Sequence, residues 1–117
     1  MTQATNTVRC LLKSQAISAQ KMRVVLRSIQ GKNAEQALEC LRFAPDGNKA
    51  CKIALKALSS AIANAENNSN MDIYSLKIIT AVANESFTLK RMRPRAKGRG
   101  ARILKRRCHV IIEVSEV

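Results

Sequence analysis

The feature that most limits how this chain can fold is a run of positive charge in its last third. Residues 90–107 carry ten lysines and arginines and no acid, whereas the other 99 residues carry eleven basic and eight acidic side chains. Ten like charges repel one another, and the chain offers too few carboxylates to neutralise them. We therefore expect this segment to lie along a dense array of negative charge on a partner.

The spacing of these charges favours an extended backbone. Cations occupy five successive odd positions from 91 to 99, with small or apolar residues between them. Alternate residues of an extended chain share a face, which predicts one charged edge and one small-residue edge. Pro94, Gly98 and Gly100 disfavour a helix here. A solvated disordered tail is the alternative, but the run is internal and a clear strand pattern follows it.

Three amphipathic helices are predicted before the charged run. Apolar residues recur at three- and four-residue spacing in segments 18 to about 29, 33 to about 41 and 48 to 67. Ser18 has the residue type and position of an N-cap. Asn33, with Gln36 three positions later, predicts a capping box at the start of the second helix. Residues 45–47, Pro-Asp-Gly, predict the turn that precedes the third helix.

Alternating apolar residues predict strands at 8–12, 73 to about 84 and 103–114. In the second strand we expect one face to carry Leu76, Ile78, Thr80 and Val82. In the third we expect one face to carry Cys108, Val110, Ile112 and Val114. The simplest topology is a long antiparallel hairpin formed by the last two strands, with a projecting far end.

The predicted fold class is α+β, with three helices packed on a small antiparallel sheet and a long protruding basic β-hairpin. We expect a single domain over residues 1–117. Its body comprises about 8–84 and 103–116, and the extended tip region of the hairpin about 85–102.

Several classes of protein are disfavoured by the composition. The four cysteines are widely spaced and His109 is the only histidine, so we expect reduced thiols, no metal site and no cofactor. No apolar run approaches the ~20 residues of a membrane span, and the first residues show no secretory signal. The acids are scattered singly, which predicts no catalytic residues. A small nuclease and a membrane-active cationic protein are the two alternatives; the latter needs a large apolar helical face.

The charged run indicates binding of nucleic acid. Seven of its ten cations are arginine, whose planar guanidinium binds phosphate through two hydrogen bonds. The predicted helices show no recognition helix for DNA. Single-stranded RNA is commonly bound on aromatic side chains, and this chain has only three aromatic residues. Recognition of a folded RNA through its shape and backbone fits the composition better.

Five sequence blocks resemble the ribosomal protein L22 family of the large subunit. They are SAQKMR (18–23), GK (31–32), SAIANAEN (60–67), TLKRMRPRAKGR (88–99) and ILKRRCHV (103–110). The resemblance covers residues 8–116 in the right order and spacing, and the pattern KRxxPRAxGR is highly specific to the family. Two of the departures from the family pattern lie near the root and the tip of the hairpin. Phe87 stands where the family usually has proline, which predicts a looser bend at the root, and Gly100 replaces a usual alanine.

The resemblance implies a structural constituent of the large ribosomal subunit, with no enzymatic activity. It implies that the protein binds large-subunit ribosomal RNA, supports subunit assembly and lines the polypeptide exit tunnel with its hairpin. The implied partners are large-subunit ribosomal RNA, neighbouring large-subunit ribosomal proteins and the nascent polypeptide in the tunnel, with no membrane. The implied location is the large subunit of the cytoplasmic ribosome, and an organellar ribosome is the alternative.

The resemblance and the charge pattern together define the expected site residues. The rRNA-binding residues are Lys21, Arg23, Lys32, Lys90, Arg91, Arg93, Arg95, Lys97, Arg99, Arg102, Lys105, Arg106, Arg107 and His109. The tip that lines the tunnel is Pro94, Arg95, Ala96, Lys97, Gly98 and Arg99. For His109, contact with RNA and simple exposure on the strand both remain open. Lys49, Lys52 and Lys56 share one helix face, which is either a second RNA contact or a solvated surface.

Overall fold

The computed structural model describes residues 7–43 and 48–116. In chain order these residues form strand β1 (Thr7–Gln15), helices α1 (Ala19–Ile29), α2 (Ala34–Arg42) and α3 (Lys49–Ser69), and strands β2 (Leu76–Pro94) and β3 (Gly100–Glu116). The sheet order is β1-β3-β2, and both pairings are antiparallel. The predicted α+β class and the hairpin of the last two strands are confirmed.

Side chains cap the first and third helices as their sequences suggest. Ser18 has an extended backbone, and its side chain accepts a hydrogen bond from the backbone N–H of Lys21. Asn48 does the same for α3, where its side-chain oxygen accepts from the N–H of Cys51. Each cap satisfies one N–H that the helix itself leaves without a partner. The helices therefore begin where local sequence places them.

The capping box predicted for α2 is wrong. The side chain of Asn33 makes no capping hydrogen bond, although the residue still precedes the first helical residue. Asn33 instead forms an isolated β-bridge with Lys77 of β2, so the backbone of this connection is held by the sheet. The predicted turn at 45–47 lies outside the described residues.

The core lies between the helices and one face of the sheet. Helix α3 packs on β1 and β3, α1 packs on β2, and α2 packs on α3. The central strand contributes a fully buried row, which is Cys108, Val110, Ile112 and Val114. Helix α3 presents small buried residues to it, which are Ala54, Ala57, Ala61 and Ala65. The inward face predicted for β3 is confirmed, and burying this aliphatic surface is the main driving force for folding.

The face predicted for β2 is wrong beyond Ile78. Ile78 pairs with Val114 and Thr80 pairs with Glu113, so Ile79 is one extra residue in β2. A one-residue shift of register moves every later side chain to the other face. Ala81 and Ala83 are consequently buried, and Val82, predicted to lie with Ile78, is 37% exposed.

Near Ile78, the edge of β2 that does not pair with β3 is covered by the connection between α1 and α2. The N–H of Gly31 donates to the carbonyl of Ile78, and the N–H of Ile78 donates to the carbonyl of Lys32, both at 3.0 Å. Gly31 has φ +83°, a backbone conformation that glycine adopts without steric cost. Covering an edge in this way blocks pairing with a strand of another chain.

Beyond the body, β2 and β3 continue as a two-stranded ribbon. Glu85 pairs with Cys108 at the last buried row, and pairing then extends from Thr88–Arg106 to Pro94–Gly100. We call this ribbon, residues 86–107, the finger, and the other described residues the body. The molecule measures 64 × 31 × 24 Å, and its radius of gyration is 17.3 Å, against about 13 Å for a compact chain of this length. The finger therefore projects from the body and is not folded onto it.

Candidate nucleic-acid interface

The register of the finger places every paired cation opposite an uncharged residue. Like charges directly opposite each other on two strands destabilise a sheet. Here the six cation–neighbour pairs are Lys90–Leu104, Arg91–Ile103, Arg93–Ala101, Arg102–Met92, Lys105–Leu89 and Arg106–Thr88. The ribbon therefore carries a high density of positive charge without any directly opposed pair of cations.

Both faces of the finger are cationic. Residues that pair directly share a face, and successive residues along a strand alternate between faces. The register accordingly puts Arg91, Arg93 and Lys105 on one face, and Lys90, Arg102 and Arg106 on the other. A ribbon charged equally on two faces suits a partner that surrounds it better than a flat surface that touches one side.

In the described part of the chain, no carboxylate pairs with a cation of residues 90–107. Arg91 donates to the neighbouring carbonyl of Lys90 at 2.9 Å, and Arg107 donates to the carbonyl of Ser14 at 3.1 Å. Residues 90–100 are all exposed. The described residues of the finger and of the body therefore leave the positive charge without a carboxylate partner, and it is accessible to an external anion.

The tip of the finger is a tight reversal. Strand β2 ends at Pro94, and a short 3₁₀ turn covers Ala96–Gly98. Lys97 and Gly98 both have positive φ, and the N–H of Arg95 donates to the carbonyl of Arg99 at 2.6 Å. The predicted single charged edge from 91 to 99 is therefore wrong, because the chain turns back on itself after Arg95.

At the root of the finger, two predicted RNA-binding side chains hold a bulge in β1. Ser14 has φ +54° and lies in a register shift between Leu12 and Gln15. Its N–H donates to Nδ1 of His109 at 3.0 Å, and its carbonyl accepts from Nη1 of Arg107 at 3.1 Å. These bonds replace the ladder bonds that a bulge interrupts. Because Nδ1 accepts, the neutral imidazole carries its proton on Nε2.

Arg107 is also held by an aromatic ring. Its guanidinium carbon lies 5.9 Å from the ring centroid of Phe87, within the range of a cation–π interaction. A second register shift in β2, between Glu85 and Thr88, places Phe87 beside Arg107. The guanidinium is thus fixed by the Phe87 ring and by the carbonyl of Ser14.

A family model described as Ribosomal protein L22p/L17e matches residues 10–115. This chain belongs to the ribosomal protein L22 family. It is accordingly a structural protein of the large ribosomal subunit that binds ribosomal RNA and serves translation, and it is not an enzyme. The chemistry of the unneutralised finger of this L22 protein fits a polyanion.

The predicted RNA-binding residues of the L22 body lie in different places. Lys21, in the first turn of α1, is exposed and lines a groove with the root of the finger. Arg23 donates from Nε to the carbonyl of Ala83 at 3.2 Å and so lies along the edge of β2. Lys32 lies beside Ile78, at the end of β2 remote from the finger, and its Nζ is 3.5 Å from Sγ of Cys40. The structure therefore groups Lys21 with the finger and separates Lys32 from it.

Other chemistry has little support in the described part of this L22 protein. Among residues 7–43 and 48–116, no three His, Cys, Asp or Glu side chains lie close enough together to hold a metal ion. Over the same ranges, no helix has the length and apolar character needed to cross a membrane.

The four cysteines are free thiols: Cys10, Cys51 and Cys108 are buried, and Cys40 is exposed. Burial raises the pKa of the Cys108 thiol, and the nearby charge of Arg23 opposes that shift. Cys108 is therefore a packed, protonated core residue rather than a nucleophile.

Proposed function

We propose that this L22 protein inserts its finger into large-subunit ribosomal RNA and supports assembly of the subunit. We further propose that residues 94–99 line the polypeptide exit tunnel, where they meet the nascent polypeptide. In this proposal the body lies on RNA and on neighbouring large-subunit proteins, in the cytoplasmic ribosome. The observation that carries the proposal is a projecting ribbon with cations on both faces and no carboxylate paired to them in the described residues.

Embedding in RNA supplies what the finger lacks. A two-stranded ribbon with no third strand and no helix over it is marginally stable in water. Phosphates on both sides neutralise its cations and release condensed counterions, which makes binding strong and dependent on salt. We expect fast amide exchange over residues 90–107 in the free protein and slow exchange in the particle. Equal protection in the two states contradicts ordering by RNA.

The tunnel assignment is tested by cross-linking in translating ribosomes. A photoreactive residue at position 97 of the tip is compared with one at position 56, on the exposed surface of α3. We expect position 97 to cross-link to the nascent polypeptide and position 56 not to do so. If a photoreactive residue at position 91 cross-links to ribosomal RNA while position 97 never reaches a nascent chain, the tip does not line the tunnel.

The assembly role is tested by deleting residues 89–102. The buried core residues lie outside this segment, so we expect the shortened protein to keep the helical circular-dichroism spectrum of the body. We also expect it to enter large-subunit particles poorly, because the deletion removes seven cations of the finger. They are Lys90, Arg91, Arg93, Arg95, Lys97, Arg99 and Arg102. Global unfolding contradicts the division into body and finger, and normal particle yield contradicts the assembly role.

A further inference from the structure

A groove at the root of the finger is lined by cations from three separate elements. Lys21 comes from α1, Lys49 is the first residue of α3, and Lys105, Arg106 and Arg107 come from β3. The groove has a volume of about 710 Å³, and no acidic side chain from residues 7–43 or 48–116 lines it. That volume lies within the range of sites for small organic ligands, so the groove is larger than a site for a single ion.

Two of the five cations are held in place before any ligand binds. Nζ of Lys49 donates to the carbonyl of Ala16, and Nη1 of Arg107 donates to the carbonyl of Ser14. The ring of Phe87 adds a second contact to Arg107. An ammonium has three N–H donors and a guanidinium has five, so both groups keep donors for a ligand. Side chains that are ordered in advance lose less entropy on binding.

The ligand must be an anion that accepts many hydrogen bonds. Lysine and arginine side chains donate hydrogen bonds and accept none. Five such groups gathered in one groove repel each other, and no carboxylate pairs with them in the part of the chain that the structure describes. Consecutive phosphates of a nucleic-acid backbone supply several negative charges and many hydrogen-bond acceptors, which a groove lined by cations from three elements can bind.

We propose that this groove binds a segment of RNA sugar–phosphate backbone and that Lys49 is one of its phosphate-binding residues. The inference rests on the proposed insertion of the finger into ribosomal RNA, and it adds a second contact at the finger root. Lys52 and Lys56 follow Lys49 on the outer surface of α3 and are exposed, but they do not line the groove. The three lysines thus separate into one phosphate contact and two solvated side chains.

The first test is a salt titration of the full-length protein on a transcript of the large-subunit ribosomal RNA. The slope meant here is that of the logarithm of the binding constant against the logarithm of the salt concentration. Loss of one phosphate contact lowers the magnitude of this slope by about 0.7–0.9 and the affinity at 0.1 M salt by about 5- to 8-fold. We expect this change for Lys49→Gln. The matched controls, Lys52→Gln and Lys56→Gln, remove the same charge from the same helix and should change neither quantity by a comparable amount. Equal effects of the three substitutions overturn the groove while leaving RNA binding by the finger intact.

The second test measures acetylation of individual lysines by mass spectrometry, with and without the transcript. We expect the transcript to protect Lys49 and Lys21 and to leave Lys52 and Lys56 reactive. Inorganic phosphate is the second probe: if it protects Lys49 as well as the transcript does, the groove is an ion site and the proposal is wrong. If the wild-type protein shows a flat salt response and no lysine is protected, both the groove and the insertion of the finger are wrong.

Discussion

Removing the imidazole of His109 should destabilise the body without touching the core. Nδ1 of His109 is the acceptor for the N–H of Ser14, the extra residue of the β1 bulge. Ser14 adopts φ +54°, a left-handed conformation that costs a non-glycine residue about 1–2 kcal/mol. The hydrogen bonds from β3 offset that cost, so the bulge depends on the side chains that hold it.

The size of the effect follows from the burial of this hydrogen bond. A typical hydrogen bond contributes about 0.5–1.5 kcal/mol net, and leaving a buried N–H without a partner costs about 1–3 kcal/mol. The bond is partly buried, so water can partly replace the missing acceptor. We therefore expect His109→Ala to lower the free energy of unfolding by about 1 kcal/mol. For a chain of this length, that corresponds to a fall in Tm of about 4 °C.

The matched control is His109→Asn. The side-chain oxygen of asparagine can reach about the position of Nδ1 and can accept the same hydrogen bond, whereas alanine cannot. Thermal unfolding of the three proteins should therefore rank wild type and His109→Asn above His109→Ala. Amide exchange at Ser14 should accelerate only in the alanine variant.

Two results would refute this reasoning. If His109→Ala unfolds at the temperature of the wild type, the hydrogen bond does not stabilise the bulge. If both substitutions destabilise the protein equally while the amide of Ser14 stays protected, the effect comes from packing of the ring and not from its acceptor nitrogen.

Four further predictions concern the body. Ile112→Ala, at a fully buried position, should lower the free energy of unfolding by about 2–5 kcal/mol; an unchanged urea midpoint would contradict the close packing of Ile112 in the core. In Gly31→Ala the added Cβ meets no atom within 4 Å. The φ of +83° at this position should still lower the free energy of unfolding by about 1 kcal/mol, measured as a lower Tm. At neutral pH an alkylating reagent should modify Cys40 and spare Cys108. Burial raises the pKa of Cys108 in the folded state, so the thiol of the unfolded chain ionises at a lower pH than the buried thiol. The contribution of Cys108 to the free energy of unfolding should therefore decrease as the pH rises above the ordinary thiol pKa.

Local sequence patterns correctly predicted the features that depend on residues only a few positions apart. Helix α1 begins after Ser18 as its capping side chain indicates, and α3 begins after Asn48. The buried row of β3 follows strict alternation from Cys108 onward. These features depend on spacings of two, three or four residues, which a single stretch of sequence contains.

The register shifts could not be predicted from the alternation of apolar and polar residues. Each of the three shifts in the sheet inserts one extra residue, near Ser14, Ile79 and Phe87. An inserted residue reverses the faces that follow it, and nothing in the composition of the strand marks its position. The capping box expected at Asn33 failed for a related reason, because the partner of Asn33 is Lys77 in a distant strand.

The amount and the location of the positive charge were decided by the sequence alone, since no fold can neutralise ten cations with the acids available. Tertiary structure decided how those cations are arranged. Pairing of β2 with β3 sets each finger cation opposite an uncharged neighbour, and packing brings Lys49 to Ala16 and Arg107 to Ser14. Lys49 and Ala16 are 33 positions apart in the sequence, and Arg107 and Ser14 are 93 positions apart. No local spacing encodes these contacts, because they exist only once the strands have paired and the helices have packed.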